Sequence, residues 1–348
     1  MKTVIIGGVA GGMSAATDLE TARKCRNHHL EQGANVSYAN CGLPYHVGEV
    51  IKKESELLLQ TPKSIKDRFN LDVRVNSRVT KIDPAKKTVT VSNLETNDSY
   101  EESYDNLVIS TGAKPRALPI SGIERAFILR DVEDAAKIKA QVDSGNIKSA
   151  AILGAGFIGI ELAENFIHRG VKTTVVEMSK TILPQFDAEI IEPFQAHLVA
   201  NKIELALGVT AATINEKTIT LSDGREIAAD LVVSAAGVVP DHHLAVEAGL
   251  TIGESGGIWV DGHQRTSDPN IFAVGDAAEK TSVFSGKGQQ IWLANLANRH
   301  GRLVADVIAG EKVEVKKAIG TGIIGAFGMA ASLTGLTEGL AKKLGIEV

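Results

Sequence analysis

The stretch Ser149-Ala150-Ala151-Ile152-Leu153-Gly154-Ala155-Gly156-Phe157-Ile158-Gly159-Ile160-Glu161-Leu162-Ala163-Glu164 decides the fold of this chain. A short apolar run enters a turn carrying three glycines and leaves it as a helix. Glycines at this spacing close the turn tightly and let backbone amides approach a pyrophosphate, whose charge then rests on the helix N-terminus. The next strand reads Thr173-Thr174-Val175-Val176-Glu177. It ends in an acid about 20 residues beyond the turn, where a carboxylate accepts hydrogen bonds from an adenosine ribose. A carboxylate there favours a free 2′-hydroxyl over a 2′-phosphate. Gly154, Gly156, Gly159 and Glu177 therefore predict an NADH site and disfavour NADPH.

The same order opens the chain: Thr3-Val4-Ile5-Ile6, then Gly7-Gly8-Val9-Ala10-Gly11-Gly12, then the helical Met13-Ser14-Ala15-Ala16. Here Val9 replaces the middle glycine. Two copies mean two nucleotide sites, or one site and a relic. The segment Arg23-Lys24-Cys25-Arg26-Asn27-His28-His29-Leu30-Glu31 is polar. Parallel strands buried on both faces are apolar, so it is not expected to form a central strand. Glu31 stands where a ribose ligand belongs, with a solvated surface glutamate as the other reading. Each half closes with a strand and a small-residue turn, Asn106 to Gly112 and Glu226 to Gly237, and Gly275-Asp276 after Ile271–Val274 reads as a ligand carboxylate. From Ile319 the pattern gives an apolar strand at Ile323–Phe327 and then a helix to Leu344.

With 348 residues, two or more domains are expected. The net charge of −5, with both signs interspersed, leaves no concentrated basic face, which excludes nucleic-acid and membrane-surface binding. No apolar run reaches the roughly 18 to 20 residues that span a bilayer, and Met1-Lys2-Thr3-Val4-Ile5-Ile6 lacks a signal-peptide layout, so a cytoplasmic chain is expected. Scarce aromatics beside plentiful Gly, Ala, Val and Ile suit sheets packed by helices, an α/β class.

Cys41 stands alone in Tyr38-Ala39-Asn40-Cys41-Gly42-Leu43-Pro44-Tyr45. The other cysteine, Cys25, lies 16 residues upstream and is not expected to resolve it. A solitary thiolate can attack a disulfide or persulfide, keep one half as a mixed disulfide, and be released by incoming electrons. Such a cysteine needs a lowered pKa, and no charge is visible beside it in the sequence. The other reading is a buried structural cysteine. His46 reads as a satisfied surface histidine, and Tyr38 and Tyr45 either flank the thiol or pack.

Together these motifs resemble the flavin-dependent pyridine nucleotide-disulfide oxidoreductases, and within them the single-cysteine branch that contains coenzyme A-disulfide reductase. The carriers are Val4 through Ala16, the Cys41 stretch, Ser110-Thr111-Gly112-Ala113-Lys114-Pro115, the second glycine turn, and Thr266 through Asp276, which span nearly the whole chain. The resemblance implies two Rossmann-like dinucleotide-binding domains and the start of a C-terminal α+β interface domain. The FAD-binding domain would comprise 1–118 and 252–318, the NAD-binding domain 119–251, and the interface domain 319–348. It further implies that Gly7, Gly12 and Glu31 hold the FAD adenosine end, that Thr111 and Gly112 shape its site, and that Asp276 binds the ribityl-pyrophosphate region. NADH would lie on Gly154, Gly156, Gly159 and Glu177. Cys41 would alternate between thiol and mixed disulfide with coenzyme A, in a homodimer that reduces coenzyme A disulfide or a related persulfide.

NADH oxidases, peroxidases and electron-carrier reductases on this scaffold are the neighbouring reading, and an inactive truncated remnant is the third. Peroxide-reactive members carry a histidine in the first glycine turn, where this chain has Ala10, which moves the expectation toward disulfide or persulfide reduction. Other departures are Asp18, at a position where the family has an arginine for coenzyme A, and Trp292 through Arg299, where proline and glycine lie near the flavin. The chain also ends at Val348, short of the family's dimer-building part, which would leave the strand near Ile323 unpaired.

Overall fold

The computed structural model describes residues 1–21 and 26–348, so Cys25 lies outside the described residues. Two parallel sheets organise the chain. Their strands, in chain order, are β1 (Lys2–Ile6), β2 (Arg26–Leu30), β3 (Asp72–Arg74), β4 (Asn106–Ile109), β5 (Phe127–Ile128), β6 (Ser149–Leu153), β7 (Lys172–Glu177), β8 (Glu204–Leu207), β9 (Leu231–Ser234) and β10 (Ile271–Ala273). The first sheet runs β3-β2-β1-β4-β10 and the second β8-β7-β6-β9-β5, all pairs parallel. This order makes both sheets dinucleotide-binding folds of the Rossmann type.

The chain divides into two compact units. Unit 1 comprises 1–38, 58–114 and 239–320, and unit 2 comprises 39–57, 115–238 and 321–348. In unit 1, Val4, Ile6, Leu107 and Ile109 form one core with the antiparallel strands Ser77–Asp83 and Thr88–Asn93. Ile5, Val108 and Phe272 form another with the helices α1 (Ala10–Thr21) and α4 (Ala294–Ile308), between which the chain forms α2 (Leu43–Val47) and α3 (Phe157–His168). Adjacent residues of one strand thus enter opposite cores, as a sheet buried on both faces requires. In unit 2, Ala151, Leu153, Val176 and Val232 pack against Ile214, Ile219 and Leu221 of an antiparallel meander.

Two sequence expectations are corrected. The polar segment does form a central strand, β2, between β1 and β3. Its polar groups are partnered only in part: among the described residues, neither side-chain polar atom of buried Asn27 has a hydrogen-bond partner, and His29 Nδ1 has none. His29 is fully buried and donates from Nε2 to the Gly7 carbonyl at 2.7 Å. Nδ1 of His28 lies 2.7 Å from the Asp72 carboxylate, which Arg74 also holds. Burial pushes His29 down to about 4, so the ring is neutral at pH 7.

The strand near Ile323 is paired. Thr321–Ala326 and Met329–Thr334 make a hairpin with Ile323 opposite Ser332, and the helix that follows covers only Glu338–Lys343. Phe327 (φ 49°) and Gly328 (φ 82°) form its two-residue turn. Positive φ at both central positions matches the strands' twist. Phe327 N donates to Glu164 Oε1 at 2.6 Å and its ring meets His168 edge-on, so tertiary contacts hold a side chain in a conformation that sequence patterns assign to glycine or asparagine.

Candidate active site

The two glycine turns are built alike. After β1, Gly7 (φ 103°) donates to Leu30 O at 2.9 Å, and after β6, Gly154 (φ 111°) donates to Val176 O at 2.8 Å. A Cβ on Gly7 would stand 2.1 Å from Ser110 O, and one on Gly154 would stand 2.5 Å from Ala235 O. Gly12 and Gly159 pass so close to the carbonyls of Gly7 and Gly154 that a Cβ would lie 1.9 and 2.0 Å from them. The protein's own packing therefore requires these four glycines.

Gly156 differs. A Cβ there would meet no protein atom within 4 Å, and as N-cap of α3 it makes no side-chain cap bond. Its bareness leaves room at the open end of a twelve-residue helix, which suits the approach of a phosphate.

Each second strand delivers its acid to the turn. Glu31 accepts from Gly8 N at 2.6 Å and from Gly33 N at 2.7 Å. Glu177 accepts from Ala155 N at 2.9 Å and from Ser179 N at 2.8 Å. Two backbone donors on each carboxylate leave lone pairs for ribose hydroxyls, since a carboxylate accepts about four hydrogen bonds. The donor sets therefore fit two adenosine dinucleotides.

Unit 1 also gathers the other residues singled out at that end. Thr111 Oγ1 donates to Asp241 O at 2.5 Å, and Asp241 N donates to Gly112 O at 2.9 Å. Asp276 sits in a single 3-10 turn, Gly275–Ala277, after β10. A Cβ on Gly275 would come within 3.7 Å of Ser110 Oγ, the residue against which Gly7 packs. Asp18 lies on α1 near Arg302 and Asp306 of α4; burial raises its carboxyl pKa against the pull of Arg302.

Cys41 lies in unit 2, with Gly154, Gly156, Gly159 and Glu177. It is exposed, on a 3-10 turn (Asn40–Gly42) that leads into α2. The loop is seated on α3: Gly48 presses so closely on Asn165 that a Cβ would lie 1.8 Å from Oδ1, and Arg169 Nη1 donates to Val47 O at 3.0 Å. His46 is buried rather than on the surface, with Nδ1 bonded to Ile51 O at 2.8 Å. Tyr38 falls in unit 1, where it bridges to Leu58.

Sequence reasoning missed the charges around this thiol. Glu161 and Glu164, three apart on α3, share one helix face. Burial and then Glu164 raise Glu161 to about 7. Although the residue is exposed, partial desolvation of its sulfur by the surrounding protein, and then Glu161, raise the Cys41 thiol above its usual value, the reverse of the lowering expected for a reactive cysteine. Tyr45 is pushed to about 12 by burial, Glu161, Glu164 and Cys41. The spacing of the two glutamates was legible; the packing of the cysteine loop against them was not.

A family model described as pyridine nucleotide-disulphide oxidoreductase matches residues 1–301. The chain is 31% identical over 344 residues to a coenzyme A disulfide reductase of Staphylococcus aureus, covering 98% of this chain and 78% of that one. The crystal structure of reduced Bacillus anthracis CoADR-RHD superposes with a TM-score of 0.97 at 40% identity, over 99% of this chain and 63% of that one. An NAD-dependent persulfide reductase from A. fulgidus gives a TM-score of 0.95 at 34% identity, over 99% and 66%.

Proposed function

Because the chain belongs to the pyridine nucleotide-disulphide oxidoreductase family, we propose that it uses NADH and FAD to reduce coenzyme A disulfide, or a related disulfide or persulfide, through the single sulfur of Cys41. The observation that carries this reading is Cys41 itself, an exposed free thiol on a turn leading into α2, within electrostatic reach of the Glu161 carboxyl. In this reading unit 1 holds FAD through Gly7, Gly12, Glu31, Thr111, Gly112 and Asp276. Unit 2 holds NADH through Gly154, Gly156, Gly159 and Glu177. The setting is the cytoplasm, where thiols stay reduced.

Bound FAD supplies the two-electron relay between reduced nicotinamide and sulfur. The chain's own part is sulfur and proton chemistry. The Cys41 thiolate attacks one sulfur of the substrate, the substrate's S–S bond breaks, and one half leaves as a thiolate that takes a proton. The other half stays on Cys41 as a mixed disulfide. Two electrons then break that bond, returning the Cys41 thiolate and freeing the second thiolate. The Glu161 charge opposes the thiolate, so the thiolate forms more readily when Glu161 is protonated.

The test begins with visible absorption of the purified protein, which should show near-stoichiometric FAD. NADH consumption should then depend on added coenzyme A disulfide. Cys41→Ser should abolish that turnover and leave NADH-to-dye reduction intact; equal loss of both would remove Cys41 from its role. Oxygen consumption without disulfide would instead favour an oxidase.

A further inference from the structure

Lys280 is buried in unit 1, four residues beyond Asp276, with 2% of its surface exposed. Its ammonium donates to Gly275 O at 2.6 Å and to Ala278 O at 2.9 Å, the carbonyls that bracket the turn carrying Asp276. A buried ammonium is destabilising by several kcal/mol unless charge and hydrogen bonds offset it. The Asp276 carboxylate supplies opposing charge.

The two carbonyls use two of the three ammonium N–H groups. Beside them lies a cavity of about 30 Å³ lined by Lys280, Gln264 and His300 among others. Gln264 and His300 are 3% and 4% exposed, and Gln264 Oε1 and His300 Nδ1 have no hydrogen-bond partner among the described residues. The cavity is large enough to hold a water molecule. One water could accept from Lys280 and donate to Gln264 Oε1 and to His300 Nδ1, which would satisfy three buried polar atoms at once.

We propose that Lys280 is a positioning residue for FAD: through its two carbonyl bonds and one buried water shared with Gln264 and His300, it fixes the Gly275–Ala278 turn and so the Asp276 carboxylate. This rests on the cofactor reading given above for Asp276. A side chain acting through Asp276 contributes nothing once that carboxylate is gone.

The experiment is a double-mutant cycle on the full chain, stripped of flavin and titrated with FAD by fluorescence quenching, with NADH affinity measured alongside. Lys280→Met should weaken FAD binding about tenfold and leave NADH affinity unchanged. Asp276→Asn should weaken FAD further, and the double variant should bind as Asp276→Asn does. Additive losses, or wild-type affinity in Lys280→Met, would overturn the proposal while leaving the cofactor reading intact. Wild-type protein that refuses FAD would overturn both. Should Lys280→Met fail to fold, Gln264→Leu removes an acceptor across the cavity without touching the turn. A smaller loss of FAD affinity supports the network, and no loss contradicts it.

Discussion

At the scale of single residues, the glycines separate by what surrounds them. Gly159 is held against Gly154 O by the protein, whereas Gly156 faces open space. Gly159→Ala should therefore disrupt the unit, with a loss of several kcal/mol seen in chemical denaturation. Gly156→Ala should leave stability within about 1 kcal/mol and weaken NADH binding by about tenfold or more. Equal effects of the two on stability would contradict that assignment. The placement of Glu177 at the glycine turn was legible because strand length and glycine spacing set where the acid falls. The surroundings of Cys41 were not, since Glu161 lies 120 positions away in the chain and reaches the thiol only through the packing of α2 on α3. Glu161→Gln removes the charge that adds to burial in raising the thiol's pKa. Alkylation of Cys41 at pH 7 should then quicken, by up to about tenfold; an unchanged or slower rate would dismiss the electrostatic coupling.

At the scale of elements, β2 shows why a polarity rule failed. The strand carries buried polar groups at a cost that is only partly offset: His29 Nε2 bonds to the glycine turn, while His29 Nδ1 and both side-chain polar atoms of Asn27 have no partner among the described residues. The arrangement has a pH signature. The folded pKa of His29, about 4, lies below its ordinary 6.5, so between these values the unfolded chain binds a proton that the native ring does not. Stability therefore rises with pH across that window and is lost as pH falls, by about 3 kcal/mol for His29 alone at pH 4. His300, lowered to about 4 by burial and then by Lys280 and Arg299, acts in the same direction. His29→Gln keeps an N–H for Gly7 O and cannot be charged, so its stability measured by denaturation should vary less between pH 4 and 6.5. Identical slopes would show that His29 is protonated in the folded protein. The hairpin at 321–334 was hidden for a different reason: its turn carries Phe327 at positive φ, a choice made by contacts with Glu164 and His168.

At the scale of the whole molecule, the duplication was the clearest signal in the sequence. Each copy gave strand, glycine turn, helix and acid in order, and each became a five-stranded parallel sheet whose four strands from the glycine turn onward are arranged alike, the fifth coming from later in the chain in the first sheet and from earlier in the second. Local chemistry carries that information, because a glycine turn and a ribose-facing acid lie within one βαβ unit. How the remaining segments sort between units is set by distant packing. Residues 39–57 are a case in point: they lie between two stretches of unit 1 yet belong to unit 2, taking Cys41 with them. Among the described residues no helix is long and apolar enough to cross a membrane.

The proposed chemistry requires that one sulfur carry the substrate. Intact-mass analysis of the FAD-loaded protein, exposed to coenzyme A disulfide without oxygen and then to NADH, tests it directly. It should show one coenzyme A adduct, mapped to Cys41, that disappears on adding NADH. An adduct that never forms, that maps elsewhere, or that survives excess NADH would contradict the claim that Cys41 is the sulfur through which electrons reach the disulfide.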